Sequence, residues 1–169
     1  MSRTTSKQSK ARALYDDTLY YDHAYYRYRK DIPFYVKHAV RSKGPVLELG
    51  VGTGRLAIAI ARQGIATVGL DLSSKMLRRA KERMLCDIQA KKHLRLYVSD
   101  MRNFRLRRRF NLIYAPFNVL MHAHTREDIE GTLRCIRMHL RPNGRFIFDV
   151  LLPDVETFAQ PTNYRCSGT

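Results

Sequence analysis

The stretch ELGVGTGRLAIAIA, residues 48–61, places Gly50, Gly52 and Gly54 at alternate positions between an apolar run and an amphipathic one. Glycine tolerates positive φ and has no Cβ, so three of them at a bend let the main chain turn sharply and come close to something else. The run before them, PVLELG at 45–50, reads as a short buried strand, and 54–63 as a helix. A strand, a glycine-rich turn and a helix form the first half of a βαβ unit.

Working outward, the same alternation continues. ATVGLD (66–71) is a second strand. A basic amphipathic helix from Ser73 or Ser74 to about Lys91 follows, with Met76, Leu77, Ala80 and Met84 on its apolar face. LRLYVSD (94–100) and FNLIYAP (110–116) are the third and fourth strands. Thr125 with Asp128 three residues on is a capping box that opens a helix to about Leu140. RPNG (141–144) is a turn and RFIFDVLLP (145–153) a fifth strand. Upstream, DIPFYVKHAVRSKG reads as a short helix, with Asp31 near the cap, Pro33 in the first turn and Gly44 beyond the end. Strands alternating with helices imply right-handed crossovers, so the fold class is α/β: a doubly wound, Rossmann-like, mostly parallel sheet.

With 169 residues the chain holds one domain. The boundaries expected are a basic tail and Tyr-rich helical lid at 1–43, a core at 44–153 and an incomplete C-terminal segment at 154–169. No apolar run approaches the roughly 20 residues of a membrane span, and the basic N-terminus lacks the apolar core of a secretory signal. Cys86, Cys135 and Cys166 are widely separated and odd in number, which fits neither a disulfide framework nor a metal cluster; a reducing, cytoplasmic setting is the expectation. The formal net charge of +16, from 31 Lys+Arg against 15 Asp+Glu, raises nucleic acid as a partner. The densest run, RLRRRF at 105–110, nevertheless lacks interleaved aromatics for stacking single-stranded bases.

In a doubly wound sheet the ligand lies beyond the carboxyl ends of the strands, at the switch point beside the first strand. The glycines fall there. Asp71 ends the second strand about 20 residues after Gly50, the spacing at which a carboxylate accepts hydrogen bonds from ribose hydroxyls. Asp100 ends the third strand on the same rim. A dinucleotide fingerprint would need glycine where Arg55 stands, and no P-loop lysine follows these glycines. Glu48 would repel a pyrophosphate and suits an amino group or a cation. The ligand expected is an adenosine without phosphates and with positive charge, a description S-adenosylmethionine meets.

Five segments in order, VLELGVGTGRLAIAIARQG, VGLDLSSKML, VSDMRNF, FNLIYAPFNVLMH and LRPNGRFIFDV, resemble the successive motifs of class I S-adenosylmethionine-dependent methyltransferases, above all the small-molecule, natural-product branch. The resemblance implies a set of roles. Glu48 would orient the methionine moiety, and Gly50, Gly52, Thr53 and Gly54 would line methionine and ribose. Asp71 would hold the ribose hydroxyls, Leu72 and Met76 would pack on adenine, Asp100 would accept its amino group and Met101 would flank the ring. The segment from Ala115 to Asn118 would lie closest to the methyl. Tyr21, with Tyr20, Tyr25 or Tyr26, would form a lid. No invariant catalytic group is demanded; Asn118, His122 and His124 are the candidates, and Asp149 faces either substrate or solvent. APFN at 115–118 departs from the sequence of adenine or glutamine amide methylation.

The family adds a sixth strand and an antiparallel seventh, and this chain is expected to lack both. Strand five would then be an exposed edge through which a homodimer could pair. The function expected is methyl transfer to a small-molecule acceptor. The alternatives are a nucleic-acid (rRNA or tRNA) methyltransferase and a non-catalytic nucleoside-binding domain; a dehydrogenase comes last because of Arg55.

Overall fold

The structure is a computed structural model that describes Asp22 and residues 28–152. Its elements run α1 (Ile32–Ser42), β1 (Val46–Leu49), α2 (Arg55–Ala61), β2 (Thr67–Asp71), α3 (Ser74–Leu85), α4 (Ile88–His93), β3 (Leu94–Val98), β4 (Phe110–Ala115), a 3₁₀ turn (Val119–His122), α5 (Arg126–His139) and β5 (Leu140–Phe148). The strands form one sheet in the order β3-β2-β1-β4-β5, every pair parallel. The doubly wound sheet expected from the alternation is therefore present. Winding reverses between β1 and β4, so the loops after these two strands diverge and leave a crevice.

Alternate residues of the central strands serve opposite faces. Leu47, Leu49, Ile113 and Ala115 pack with Phe104, Cys135 and Ile136 on the α5 side. Val46, Leu112 and Tyr114 pack with Tyr35, Ala39, Leu56 and Ile60 on the side of α1 and α2. A third cluster joins Ala57, Ala61, Leu77, Ala90 and Leu94 beneath α2, α3 and α4. Burial on both faces explains why β1 and β4 read as almost continuous apolar runs.

Three expectations change. The single helix to about Lys91 is two helices, α3 and α4, parted at Cys86 and Asp87. Asp87 is extended and its carboxylate accepts from the Ala90 N–H at 2.8 Å, opening α4 as an N-cap, and it also pairs with Arg62. The RPNG turn lies inside β5 as an irregularity: Phe110 pairs with Leu140 and Leu112 with Arg145, and Asn143 adopts φ of 65°. Asp31 precedes α1 without capping it, since its carboxylate is taken by Arg55. The Thr125 cap is as read, its hydroxyl accepting from the Asp128 N–H at 3.1 Å. β5 pairs on one side only among the described residues, and Phe148 on it is exposed.

Asp87→Ala removes both the α4 cap and the partner of Arg62, and should lower the urea unfolding midpoint. Asp87→Asn, which still caps, should recover much of that loss. Equal midpoints for the two variants would show that the ion pair, and not the cap, separates the helices.

Candidate functional site

A cavity of about 450 Å³ opens at the carboxyl ends of β1, β2 and β4. Its floor is the turn between β1 and α2. Gly50 and Gly52 adopt φ of 65° and 53° there, a region costly for residues with a side chain. A Cβ on Gly50 would also stand 2.4 Å from a Val119 methyl, so the turn closes onto the loop after β4. Gly50, Gly52 and Thr53 line the cavity, as expected. Gly54 does not. It caps α2 with φ of 81° and sits against Ala80 and Ile58, which makes it a packing glycine.

Asp71 joins two of the loops. Its Oδ2 accepts from the Gly52 N–H at 2.7 Å and its Oδ1 from the Ser73 N–H at 2.8 Å. Burial raises its pKa from the ordinary range while these backbone donors oppose the rise. A carboxylate has about four acceptor sites, so others remain for hydroxyls reaching into the cavity.

Glu48 lines the cavity from the third position of β1 and is 3% exposed. Its Oε2 accepts from the Tyr114 hydroxyl at 2.9 Å. Tyr114 stands opposite it in the β1–β4 register, and that cross-strand placement is what brings the two together. Desolvation pushes the Glu48 pKa up to about 8, against the pull of Tyr114 and Arg55. The carboxyl is thus protonated at neutral pH until a cation approaches it.

Asp100 also lines the cavity, and is held by a neighbour that the motif did not reveal. Arg102 grips it through Nε at 2.9 Å and Nη2 at 2.6 Å while reaching Asp128 at 2.9 Å. That guanidinium holds the Asp100 carboxyl below the usual range. Leu72, Met76 and Met101 all border the cavity. Leu72 is 67% exposed, so it is no core residue, whereas Met76 is buried.

The loop after β4 carries two consecutive residues with side chains at positive φ. Phe117 and Asn118 lie consecutively in the left-handed region, at φ of 60° and 61°. Asp149, just beyond β5, holds them: its Oδ2 accepts from the Phe117 N–H at 2.9 Å and from the Tyr35 hydroxyl at 2.9 Å, its Oδ1 from the Asn118 N–H at 2.6 Å. Asp149 therefore faces this loop. Three of the expected residues take other places. Ala115 is fully buried in the core of the α5 face, and Pro116 and Phe117 border the cavity in its stead. Asn118 turns the loop without lining the cavity. His124 donates its N–H to Asp128 at the start of α5. Of the histidine candidates only His122 borders the cavity, and burial followed by the proximity of His124 holds its pKa below the ordinary value.

Tyr21 and the other lid tyrosines fall outside the described residues. Asp22 supplies the N-terminal contact that sequence reasoning missed. It accepts from Thr53 Oγ1 at 2.7 Å and Arg79 Nε at 3.0 Å, and it borders the cavity with Arg83. Arg55 stands where a dinucleotide fingerprint has glycine. Its guanidinium makes a two-pronged pair with Asp31 at 2.6 and 2.7 Å and lies 5.8 Å from the rings of both Tyr28 and Phe117. Among the described residues no group of His, Cys, Asp and Glu could hold a metal ion, and no helix is long and apolar enough to cross a membrane.

This geometry is matched among known proteins. A family model described as a methyltransferase domain matches residues 46–144, more than half of the chain. The chain belongs to this methyltransferase family. It is 30% identical over 109 residues to a dTDP-3-amino-3,4,6-trideoxy-alpha-D-glucopyranose N,N-dimethyltransferase of Streptomyces venezuelae, a match covering 62% of this chain and 43% of that one. It is 27% identical over 120 residues to a dTDP-3-amino-3,6-dideoxy-alpha-D-glucopyranose N,N-dimethyltransferase of Streptomyces fradiae, covering 71% and 44%. A crystal structure of the glycopeptide N-methyltransferase MtfA with S-adenosyl-L-methionine superposes with a TM-score of 0.63 at 27% identity, covering 72% of this methyltransferase chain and 55% of that one. The chain thus spans less than half the length of these curated relatives.

Two outcomes follow from the site's electrostatics. Glu48 takes up a proton on folding, so the stability this gives is fully present below about pH 4.5 and is lost as pH rises through about 8. Wild-type melting temperature should fall across that window; Glu48→Gln, still an acceptor for Tyr114, should flatten the fall. An unchanged pH profile would place the proton elsewhere. Asp149→Ala should speed amide hydrogen exchange at Phe117 and Asn118 and leave β1 and β2 protected. Unaltered exchange would remove Asp149 from the role of loop clamp.

Proposed function

We propose that this chain binds S-adenosylmethionine in the cavity between β1 and β4 and directs methyl transfer to an amine nitrogen of a small molecule. The observation that carries the reading is the convergence of Gly50, Gly52, Glu48 and Asp71 on one cavity, with the other lining carboxylates, Asp22 and Asp100, paired to Arg83 and Arg102. Glu48 and Asp71 set carboxyl groups against the glycine turn, where a pyrophosphate would otherwise lie, and offer partners to an ammonium and to hydroxyls. The cavity volume lies in the range that small ligands occupy. The glycine turn leaves the main chain bare, and Asp71 retains acceptor sites. The residues fit the cofactor. The names of the relatives, two N,N-dimethyltransferases and an N-methyltransferase, support nitrogen as the acceptor atom.

When bound, S-adenosylmethionine supplies a methyl carbon already activated by its sulfonium. The chain's own work is positional. Asp71 would accept from the ribose hydroxyls. Glu48 would ionise beside the ammonium of the methionine moiety, its raised pKa falling as the cation arrives. Asp100, still held by Arg102, would accept from the adenine amino group between Leu72, Met76 and Met101. The loop held by Asp149 would present the acceptor nitrogen to the methyl in line. His122, kept neutral by burial, would take the proton that nitrogen loses. Phe117, Tyr28 and Arg55 would exclude water on the open side.

RNA as the methyl acceptor is the weaker reading, because the relatives are named for dTDP-amino sugars and a glycopeptide. Calorimetric titration of S-adenosylmethionine and S-adenosylhomocysteine, with NAD as the control, tests the proposal. Binding of the first two alone is the expected result, and NAD binding or no binding by a folded sample would overturn it. Asp71→Ala should weaken that binding by about 1–3 kcal/mol, roughly 5- to 150-fold. Unchanged affinity would refute the ribose role.

A further inference from the structure

The end of the sheet opposite the cavity is rich in arginine. There a second cleft, about 330 Å³ in volume, lies between the end of α1 and the start of β5, with His38, Arg41, Asn111, Arg141 and Arg145 among its lining. Arg41, Arg141 and Arg145 are exposed, and none of them forms an ion pair among the described residues. The exposed run Arg107, Arg108 and Arg109 leads into β4, the strand that supplies Asn111 to the cleft. Most of the described acids lie elsewhere, with Glu82, Glu127 and Glu130 exposed on helices. Asp22, Asp31, Glu48, Asp71, Asp100, Asp128 and Asp149 are all engaged around the carboxyl ends of the strands. At the rear, Asp87 is already paired with Arg62.

Helix polarity explains part of this separation. Arg41 and Arg137 end helices, where cations offset the terminal carbonyls. It does not explain Arg107, Arg108, Arg109, Arg141 and Arg145, which lie on a loop and a strand. These groups are also held in place. Leu106 donates its N–H to His139 Nε2 at 2.9 Å, and the ring is fixed in turn by Nδ1–H donating to the Cys135 carbonyl at 2.7 Å. Phe104 lies against that ring at a tilt of 34°, centroids 4.5 Å apart, and the Arg108 guanidinium lies 5.8 Å over Phe110. On the other side, the irregularity at 141–144 lifts Arg141 and Arg145 to either side of a sharp turn at Asn143.

From this juxtaposition we infer that the rear cleft and its arginine rim bind the phosphate backbone of a nucleic-acid duplex, as a partner and not as the methyl acceptor. Guanidinium forks match phosphate oxygens in pairs, which favours phosphate over carboxylate-bearing or diffuse polyanions. The cleft lining holds no aromatic side chain other than His38, so stacking of splayed single-stranded bases has no platform there. It also lacks exposed apolar side chains to enter a bilayer. The six residues of β4, at about 3.3 Å each, put about 20 Å of sheet between the two ends, so a duplex seated at the rear leaves the cavity open. The inference is independent of the proposed cofactor and acceptor.

The test is fluorescence anisotropy of a labelled 20-base-pair RNA duplex (about two helical turns) against the purified chain over a range of KCl. Binding should weaken with a log–log slope of about −3, each phosphate contact contributing about −0.9. Arg141→Glu with Arg145→Glu should weaken binding at least tenfold (~10×) and flatten the slope by about two contacts. The charge-matched pair Arg78→Glu with Lys81→Glu, on the exposed side of α3, should lose less than about threefold. Melting temperature and S-adenosylmethionine affinity, read on both pairs, separate loss of the rear site from unfolding. Equal losses in the two pairs would reduce the interaction to net charge and overturn the site. So would tripolyphosphate binding in the cleft that the duplex fails to displace, or binding to anionic lipid vesicles without binding to the duplex.

Discussion

Because β2 and β3 extend from one side of β1 while β4 and β5 extend from the other, the chain leaves β1 and β4 in opposite directions. Everything at the site hangs on that parting. The turn after β1 must bend at once to send α2 across one face, and it does so through glycines at positive φ. The loop after β4 must bend to the other face, and it does so through two residues with side chains held in the same region, which costs more. Asp149 offsets that cost by engaging both N–H groups, and it can do so only because β5 lies alongside β4 in parallel.

Carboxylates serve this methyltransferase mainly as connectors. Asp71 ties the glycine turn to the start of α3, Asp22 ties the N-terminal segment to Thr53 and α3, Asp31 ties α1 to Arg55, and Asp149 ties β5 to the loop and to Tyr35. Each satisfies backbone, hydroxyl or guanidinium donors near the mouth of the cavity. The carboxylates at the mouth are matched by Arg55, Arg83 and Arg102, whereas Arg41, Arg141 and Arg145 at the rear form no ion pair among the described residues.

The candidate residues that border the cavity are largely those whose place follows from position along a strand. Asp71 sits where a strand end meets the glycine turn, and spacing alone locates it; Leu72, Met76, Asp100 and Met101 border the cavity for the same reason. Gly54 and Ala115 were misplaced because they fall one residue away from lining positions, and a strand or a helix start turns successive residues to different sides. Asp22, Arg102 and Tyr114 gave no signal of their own. Their partners are distant in sequence or lie across a strand register, and no local pattern encodes that register.

The sequence by itself determined the doubly wound class, the order of strands and helices, and the glycine turn with its acids, since hydrophobic period and glycine spacing are local properties of the chain. It also determined the charge, though not its placement. Tertiary structure alone decided that Glu48 would accept from the Tyr114 hydroxyl, that Asp149 would hold a strained loop, and that Arg41, Arg141 and Arg145 would share a cleft away from the cavity. Those outcomes depend on which strands become neighbours, and neighbours are chosen by packing over the whole core.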